Sequence, residues 1–141
     1  MENKDAKGIL GRYIRLKEKN DDRIEGYLRK GTTEQHEPAA IAKIEGYLRK
    51  EREAGLLVQA VLAQIPDRDD RKILELRYLQ GCRMREISRY FYARRPDYEE
   101  HAEAYRAKVN KKLGLALLKA AQVLRELGVE LDPDDEEDLE D

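Results

Sequence analysis

Between residues 41 and 65 side chains recur in strict three–four alternation: Ile41, Ile44, Leu48, Glu51, Gly55, Val58, Leu62 and Ile65. That spacing draws one line along a helix, the heptad seam through which helices pair. Glu51 and Gly55 are two faults in it. Leu57 and Val61 widen the apolar stripe near its C-terminal end, which is therefore expected to be the better buried. Upstream, Ile9, Tyr13, Leu16, Ile24 and Tyr27 recur at helical spacing over residues 5–30, with the polar Asn20 in the gap. "GTTEQHEP" interrupts this pattern, and Pro38 suits the first position of the next helix. The two segments predict an antiparallel helical hairpin over 1–65. An exact repeat, "IEGYLRK", occupies 24–30 and 44–50 and would lie near its closed end. Two copies point to a local duplication, since a solenoid needs at least three stacked units.

The chain continues in helical pattern. Pro66 ends the second helix, and Asp67 can cap a third. "RDDRKILELRYLQ" spaces Ile73, Leu76 and Leu79 by three, and Gly81 supplies a stop. "RMREISRYFY" reads as a short fourth helix with Met84, Ile87 and Phe91 on one face, broken by Pro96. Asp97 and Glu100 resemble a capping box, from which one long helix would run to about Leu127 and stop at Gly128. Composition agrees with an all-α chain: charged residues make up 41%, aromatics 6%, and β-branched runs are missing.

The net charge of −2 hides an asymmetry. The last ten residues, "DPDDEEDLED", hold eight acids and no base. The remaining body has 28 bases against 22 acids, or +6. A basic body with an acidic tail is a mild pointer to nucleic acid. The tail, with Pro133 and almost nothing apolar, is expected to be disordered. Thirteen residues follow Gly128. Extended, they span about 43–47 Å, against about 26 Å from Gly128 back to Lys111 along a helix. The tail can thus either compete with DNA for Lys108, Lys111 and Lys112 or act as a solubility segment that touches nothing. A single cysteine, Cys82, allows no internal disulfide and fits a reducing compartment. With no apolar signal core and no apolar run of membrane-spanning length, the expected location is the cytoplasm.

"IPDRDDRKILELRYLQGCRMREISRYF" resembles the start of the helix-turn-helix of sigma factor region four, through Leu76-Arg77-Tyr78, Gly81 and Glu86-Ile87-Ser88. "KVNKKLGLALLKA", residues 108–120, resembles that family's recognition helix, with Val109 at its buried Val and Ala116-Leu117 at its Ala-Leu. The likeness covers about residues 5–125. It extends to small regulators of phages and mobile elements that place a helical hairpin before the same module. It implies an all-α fold with a long N-terminal antiparallel helical hairpin (1–65), a helix-turn-helix module (66–128) and an acidic disordered tail (129–141). It also implies a DNA-binding transcriptional regulator, with double-stranded DNA as partner and RNA polymerase and a second copy of the chain as further candidates.

In the predicted recognition helix, Val109, Leu113, Ala116, Leu117 and Ala120 share one stripe. Lys108 and Lys111 lie opposite, with Arg106, Asn110 and Lys112 on the flanks. Asn can pair with adenine edges, and Lys with guanine or phosphate. Between Phe91 and Arg106 the family needs only a tight turn. The longer segment here, with Pro96 and four acids, requires either an extended recognition helix or a small inserted one. Arg94 and Arg95 within it are candidate phosphate holders. Leu115 and Leu118 point away from the Val109 stripe and are expected to be covered by the hairpin or by a second subunit.

No other chemistry emerges. His36 and His101 lie 65 residues apart, and with one cysteine they offer no metal-ligand spacing. No glycine-rich phosphate loop or nominable catalytic pair is present, and no cofactor is implied. Two alternatives stand beside the regulator: a small terminase-like DNA-packaging subunit, and a helical protein-interaction module without DNA binding.

Overall fold

A computed structural model describes residues 1–29 and 38–136, in which regular structure is entirely helical. The helices are α1 (Asn3–Leu10), α2 (Arg12–Arg29), α3 (Pro38–Ala63), α4 (Arg68–Tyr78), α5 (Met84–Tyr92) and α6 (Ala102–Glu126). A short 3-10 turn, Pro133–Glu136, follows. The expected break over "GTTEQHE" and tail residues 137–141 lie outside the described residues.

The first predicted helix is two helices, interrupted at Gly11 alone. Backbone bonds continue on either side: the Gly11 N–H donates to the Lys7 carbonyl at 3.0 Å, and the Arg15 N–H to the Gly11 carbonyl at 3.1 Å. The Arg15 guanidinium folds back over the glycine, where a Cβ would stand, and donates to the Gly8 carbonyl at 2.7 Å. A side chain inserted against the backbone ladder is a common cause of a kink. Periodicity alone could not register it, because apolar spacing runs through unchanged.

α2 and α3 lie side by side in opposite directions. Near one end the Tyr13 ring rests on Gly55, where a Cβ would come within 3.1 Å of it. Further along, Asn20, fully buried, donates from Nδ2 to the Tyr47 carbonyl at 2.9 Å and to Glu51 Oε1 at 3.2 Å. Beyond that, Arg23 lies 4.3 Å from the centre of the Tyr47 ring. The two faults of the expected seam therefore face two particular residues of the partner helix. The seam itself is rotated. Its inward line runs Ala40, Ile44, Tyr47, Glu51, Ala54, Val58, Val61 and Ile65, while Ile41 and Leu48 are 43% and 41% exposed. Asn20 bonding to the Tyr47 backbone turns that residue, rather than Leu48, toward α2. The C-terminal end is the better buried: Val58, Val61 and Ile65 are at most 1% exposed. Residues 24–29 of the first copy of the repeat and 44–50 of the second lie at the same, less buried end of the pair.

The module after Pro66 closes through local bonds. Asp67 Oδ1 accepts from the Asp70 N–H at 2.9 Å and caps α4. Gly81 adopts φ +69°, a left-handed conformation that a Cβ would strain. The Cys82 N–H then returns to the Leu76 carbonyl at 2.9 Å, and Arg77 Nη1 donates to the Cys82 carbonyl at 3.0 Å. α5 opens with the Arg83 N–H bonded to Glu86 Oε1 at 3.0 Å. α6 begins at Ala102 rather than Asp97. Residues 93–101 form a run of turns with no inserted helix, and the predicted recognition helix is extended at its N-terminus, beginning four residues before Arg106. The Asp97–Glu100 box does not form, because Asp97 takes the Tyr105 hydroxyl at 2.6 Å instead. Gly128, at φ +73°, stops α6 as expected.

One continuous core holds these helices. Val109, Ala116, Ala120 and Leu124 of α6 are fully buried together with Ile9 and Leu10 of α1, Val61 of α3, Leu74 of α4 and Ile87 of α5. α1 is tied along the C-terminal half of α6: Asn3 Nδ2 donates to the Gly114 carbonyl at 2.8 Å, and Arg125 Nη2 to the Met1 carbonyl at 3.1 Å. Neither α2 nor α3 covers Leu115 and Leu118, which are 52% and 57% exposed.

The start of the acidic tail is docked. Asp135, with its side chain 1% exposed, accepts from Arg12 Nε at 2.7 and 2.9 Å, Arg12 Nη2 at 2.6 Å, Arg15 Nη2 at 3.2 Å and the Asp132 N–H at 2.8 Å. A Cβ on Gly8 would collide with the Asp135 carbonyl. Residues 132–136 thus neither reach toward Lys108, Lys111 and Lys112 nor hang free. Two guanidiniums at the α1–α2 elbow need a carboxylate, and Asp135 is near enough in space to supply it.

Asp135→Ala removes the carboxylate that faces the buried Arg15 and is expected to cost about 3–5 kcal/mol, the range for removing one partner of a buried ion pair. Asp134→Ala, an exposed neighbour, should stay within about 0.5 kcal/mol. Urea unfolding of both variants measures the contrast; equal midpoints would contradict it. Ile87→Ala, at a fully buried site beneath α6, is expected to cost about 2–5 kcal/mol by the same measurement.

Candidate nucleic-acid interface

Residues 66–126 carry fifteen bases and ten acids. Their arrangement follows from the seating of α6. With 3.6 residues per turn, Lys108 and Lys112 fall on one flank of the buried Val109, Arg106 and Asn110 on the other, and Lys111 nearly opposite. Arg106, Lys108, Asn110 and Lys111 are exposed, and Lys112 is half-buried.

Aromatic side chains organise the first flank. Tyr92 of α5 stacks on Tyr105 of α6 at 4.8 Å between ring centres, and Tyr98 from the intervening turns stacks on Tyr105 at 5.8 Å. Phe91 and Tyr90 extend the series, the latter pair edge to face at 5.1 Å. Cations sit along it. Lys108 lies 5.2 Å from Tyr105, Arg95 5.8 Å from Tyr92, and Lys112 5.2 Å from Phe91 and 5.7 Å from Tyr92. Lys72 of α4 is 5.3 Å from Tyr90. Cations within about 6 Å of a ring centre are attracted to its face. The rings of Tyr92, Tyr98 and Tyr105 are buried, so they brace the cations and are not themselves a stacking platform.

The seven residues expected to contact DNA therefore divide. Arg95, Lys108 and Lys112 gather around the stack, and Arg94 lines the adjoining groove between α4 and α5. Arg106 and Asn110 stand on the far flank, with Lys111 between the two sets. Arg68, Arg71 and Lys72, spaced by three and four on one face of α4, line the same groove as Arg94 and were not among the expected contacts.

Acids surround the start of α6. Asp97, Glu99, Glu100 and Glu103 are exposed. The Tyr105 hydroxyl, and secondarily His101 and Arg95, hold the Asp97 carboxyl below its usual range, and the same bond raises the Tyr105 phenol. At the other end of the module Asp70 pairs with Lys119, raising its ammonium, and Asp69 lies 3.8 Å from Lys112. Burial, reinforced by Glu86, raises the Cys82 thiol despite Arg77 and Lys72, the opposite of an activated nucleophile. Among the described residues no group of three His, Cys, Asp or Glu is placed to hold a metal ion. No described helix is long and apolar enough to cross a membrane.

No family model, curated protein or solved structure matches the chain.

The Asp97–Tyr105 bond implies a pH dependence. A carboxyl lowered in the folded state stabilises it above the ordinary carboxylate pKa of about 3.9. That contribution disappears as pH falls through the lower folded value. Tyr105→Phe should therefore melt below the parent at neutral pH, and the gap should narrow under acid conditions. Thermal midpoints from neutral to strongly acidic pH check this; a gap independent of pH would detach the bond from stability.

Proposed function

We propose that the protein is a DNA-binding transcriptional regulator of sigma region four type, with α6 as the helix presented to duplex DNA. The observation that carries this reading is the two-sidedness of the N-terminal half of α6. Val109 and Leu113 are buried in the module core, while Arg106, Lys108, Asn110 and Lys111 are exposed. The two preceding helices, α4 and α5, joined through the left-handed Gly81, pack against the buried side of α6 and leave that half outward. Exposed Asn and Lys side chains supply the donors that read adenine and guanine edges. A source in a phage or mobile element, RNA polymerase as a partner and a homodimer on a two-fold site belong to the same reading.

A helical protein-interaction module is the second reading, favoured by one observation: Leu115 and Leu118 continue the Lys111 face as exposed apolar surface.

Lys111→Ala separates roles within the first reading. If Lys111 reads a base, affinity for the specific site should fall by about 1–3 kcal/mol. If it holds phosphate, binding should weaken on all sequences and the salt slope should drop by about one unit. Unchanged affinity and slope would remove Lys111 from the interface, once circular dichroism has verified the fold of the variant. Absence of any duplex affinity at low salt would leave the interaction module.

A further inference from the structure

Of the residues lining the groove between α4 and α5, only Arg94 has a role so far, as a candidate phosphate holder. The groove's volume is about 650 Å³. Arg68, Arg71 and Lys72 line it from α4. Tyr90 and Phe91 line it from α5, and Arg94 from just beyond. Two carboxylates also line it, and both are already matched: Glu75 pairs with Lys72 at 3.2 Å, and Asp69 with Lys112 at 3.8 Å. Arg68, Arg71 and Arg94 make no ion pair among the described residues, and all three are exposed. Between them Tyr90 is 57% exposed, on a helix where Phe91 and Tyr92 are more deeply set.

We propose that this groove seats the sugar–phosphate backbone of duplex DNA, beside the surface that α6 presents. The proposal rests on the DNA-binding reading and adds a site to it. Guanidinium is suited to phosphate, which it can grip through paired N–H donors, and the three guanidiniums here form no ion pair with the carboxylates of the lining. The lining contains no Asn or Gln, the side chains that pair with adenine edges, so the groove fits backbone rather than bases. It is also continuous with the cations of α6. Lys112 lies over Phe91 on one side of the groove and beside Asp69 on the other, and Lys108 and Arg95 follow along the aromatic stack. The acids at the start of α6 repel phosphate from that end, leaving the α4–α5 side as the approach of favourable sign.

The test is a salt titration of the full chain with a short duplex of mixed sequence, parent against the Arg71→Ala, Arg94→Ala double variant. Both side chains are exposed, so the fold should be retained, and thermal unfolding verifies it. The expected result is a log–log salt slope shallower by about one unit for each arginine. The affinity ratio between two unrelated duplexes should not change, because backbone contacts carry no sequence information. Arg71→Glu, measured separately, should weaken binding more than the alanine change. An unchanged slope in the double variant, alongside a loss in Lys111→Ala, would overturn the groove and leave DNA binding by α6 intact. A parent chain with no duplex affinity at low salt would overturn both. Binding of poly-glutamate but not of duplex, lost in the double variant, would assign the groove to an acidic protein segment and overturn the proposal.

Discussion

The body of the molecule depends on burial along α6. α1, α4 and α5 all pack against this one helix, and α3 reaches it through Val58, Val61 and Ile65 of the shared core. The residues that make this possible are small as well as apolar. Ala116, Ala120 and Ala121 are at most 2% exposed, and they let helices approach from two sides while Val109, Leu117 and Leu124 fill the space between. A helix gripped on two sides cannot rotate without exposing part of that stripe. Its remaining face is consequently a fixed platform on which polar side chains can be displayed.

Around that platform, three polar contacts set register and direction. Asn20 with Glu51 aligns α2 on α3. Asp135 with Arg12 and Arg15 ties the chain beyond α6 to the elbow between α1 and α2. Asp97 with Tyr105 pins the run of turns that leads into α6. The buried ones among these, at Asn20 and Asp135, add little net stability over apolar packing, but an alternative arrangement would leave them unpaired. Asn20 illustrates this, since its Oδ1 finds no partner among the described residues while its amide group makes two bonds. Its contribution is to define which residue of α3 turns inward.

The aromatic stack links this architecture to the candidate interface. Tyr92, Tyr98 and Tyr105 come from α5, the turns and α6, so a single stack closes the longer connection between the two helices. The same rings gather Arg95, Lys108 and Lys112 on one flank. The connection brings acids to the start of α6 and cations beside it, and so gives the module a directional electrostatic surface.

Helix type, the better-buried end of α3, the Asp67 cap, the stops at Gly81 and Gly128 and the buried stripe of α6 were all legible in the sequence. Each is governed by residues within a turn or two of one another, where propensity and periodicity act. The break at Gly11, the rotation of the α3 seam, the start of α6 at Ala102 and the docking of Asp135 were not. Each is decided by a partner distant in the chain or by competition between two local bonds. Arg15 and Asp135 are separated by 120 residues, and no local pattern marks them as partners. The sequence by itself determined which segments are helical and which face of each is apolar. Only the tertiary structure decided which helices meet, where the tail's carboxylate goes and which cations share a surface, because those outcomes depend on distances that packing alone sets.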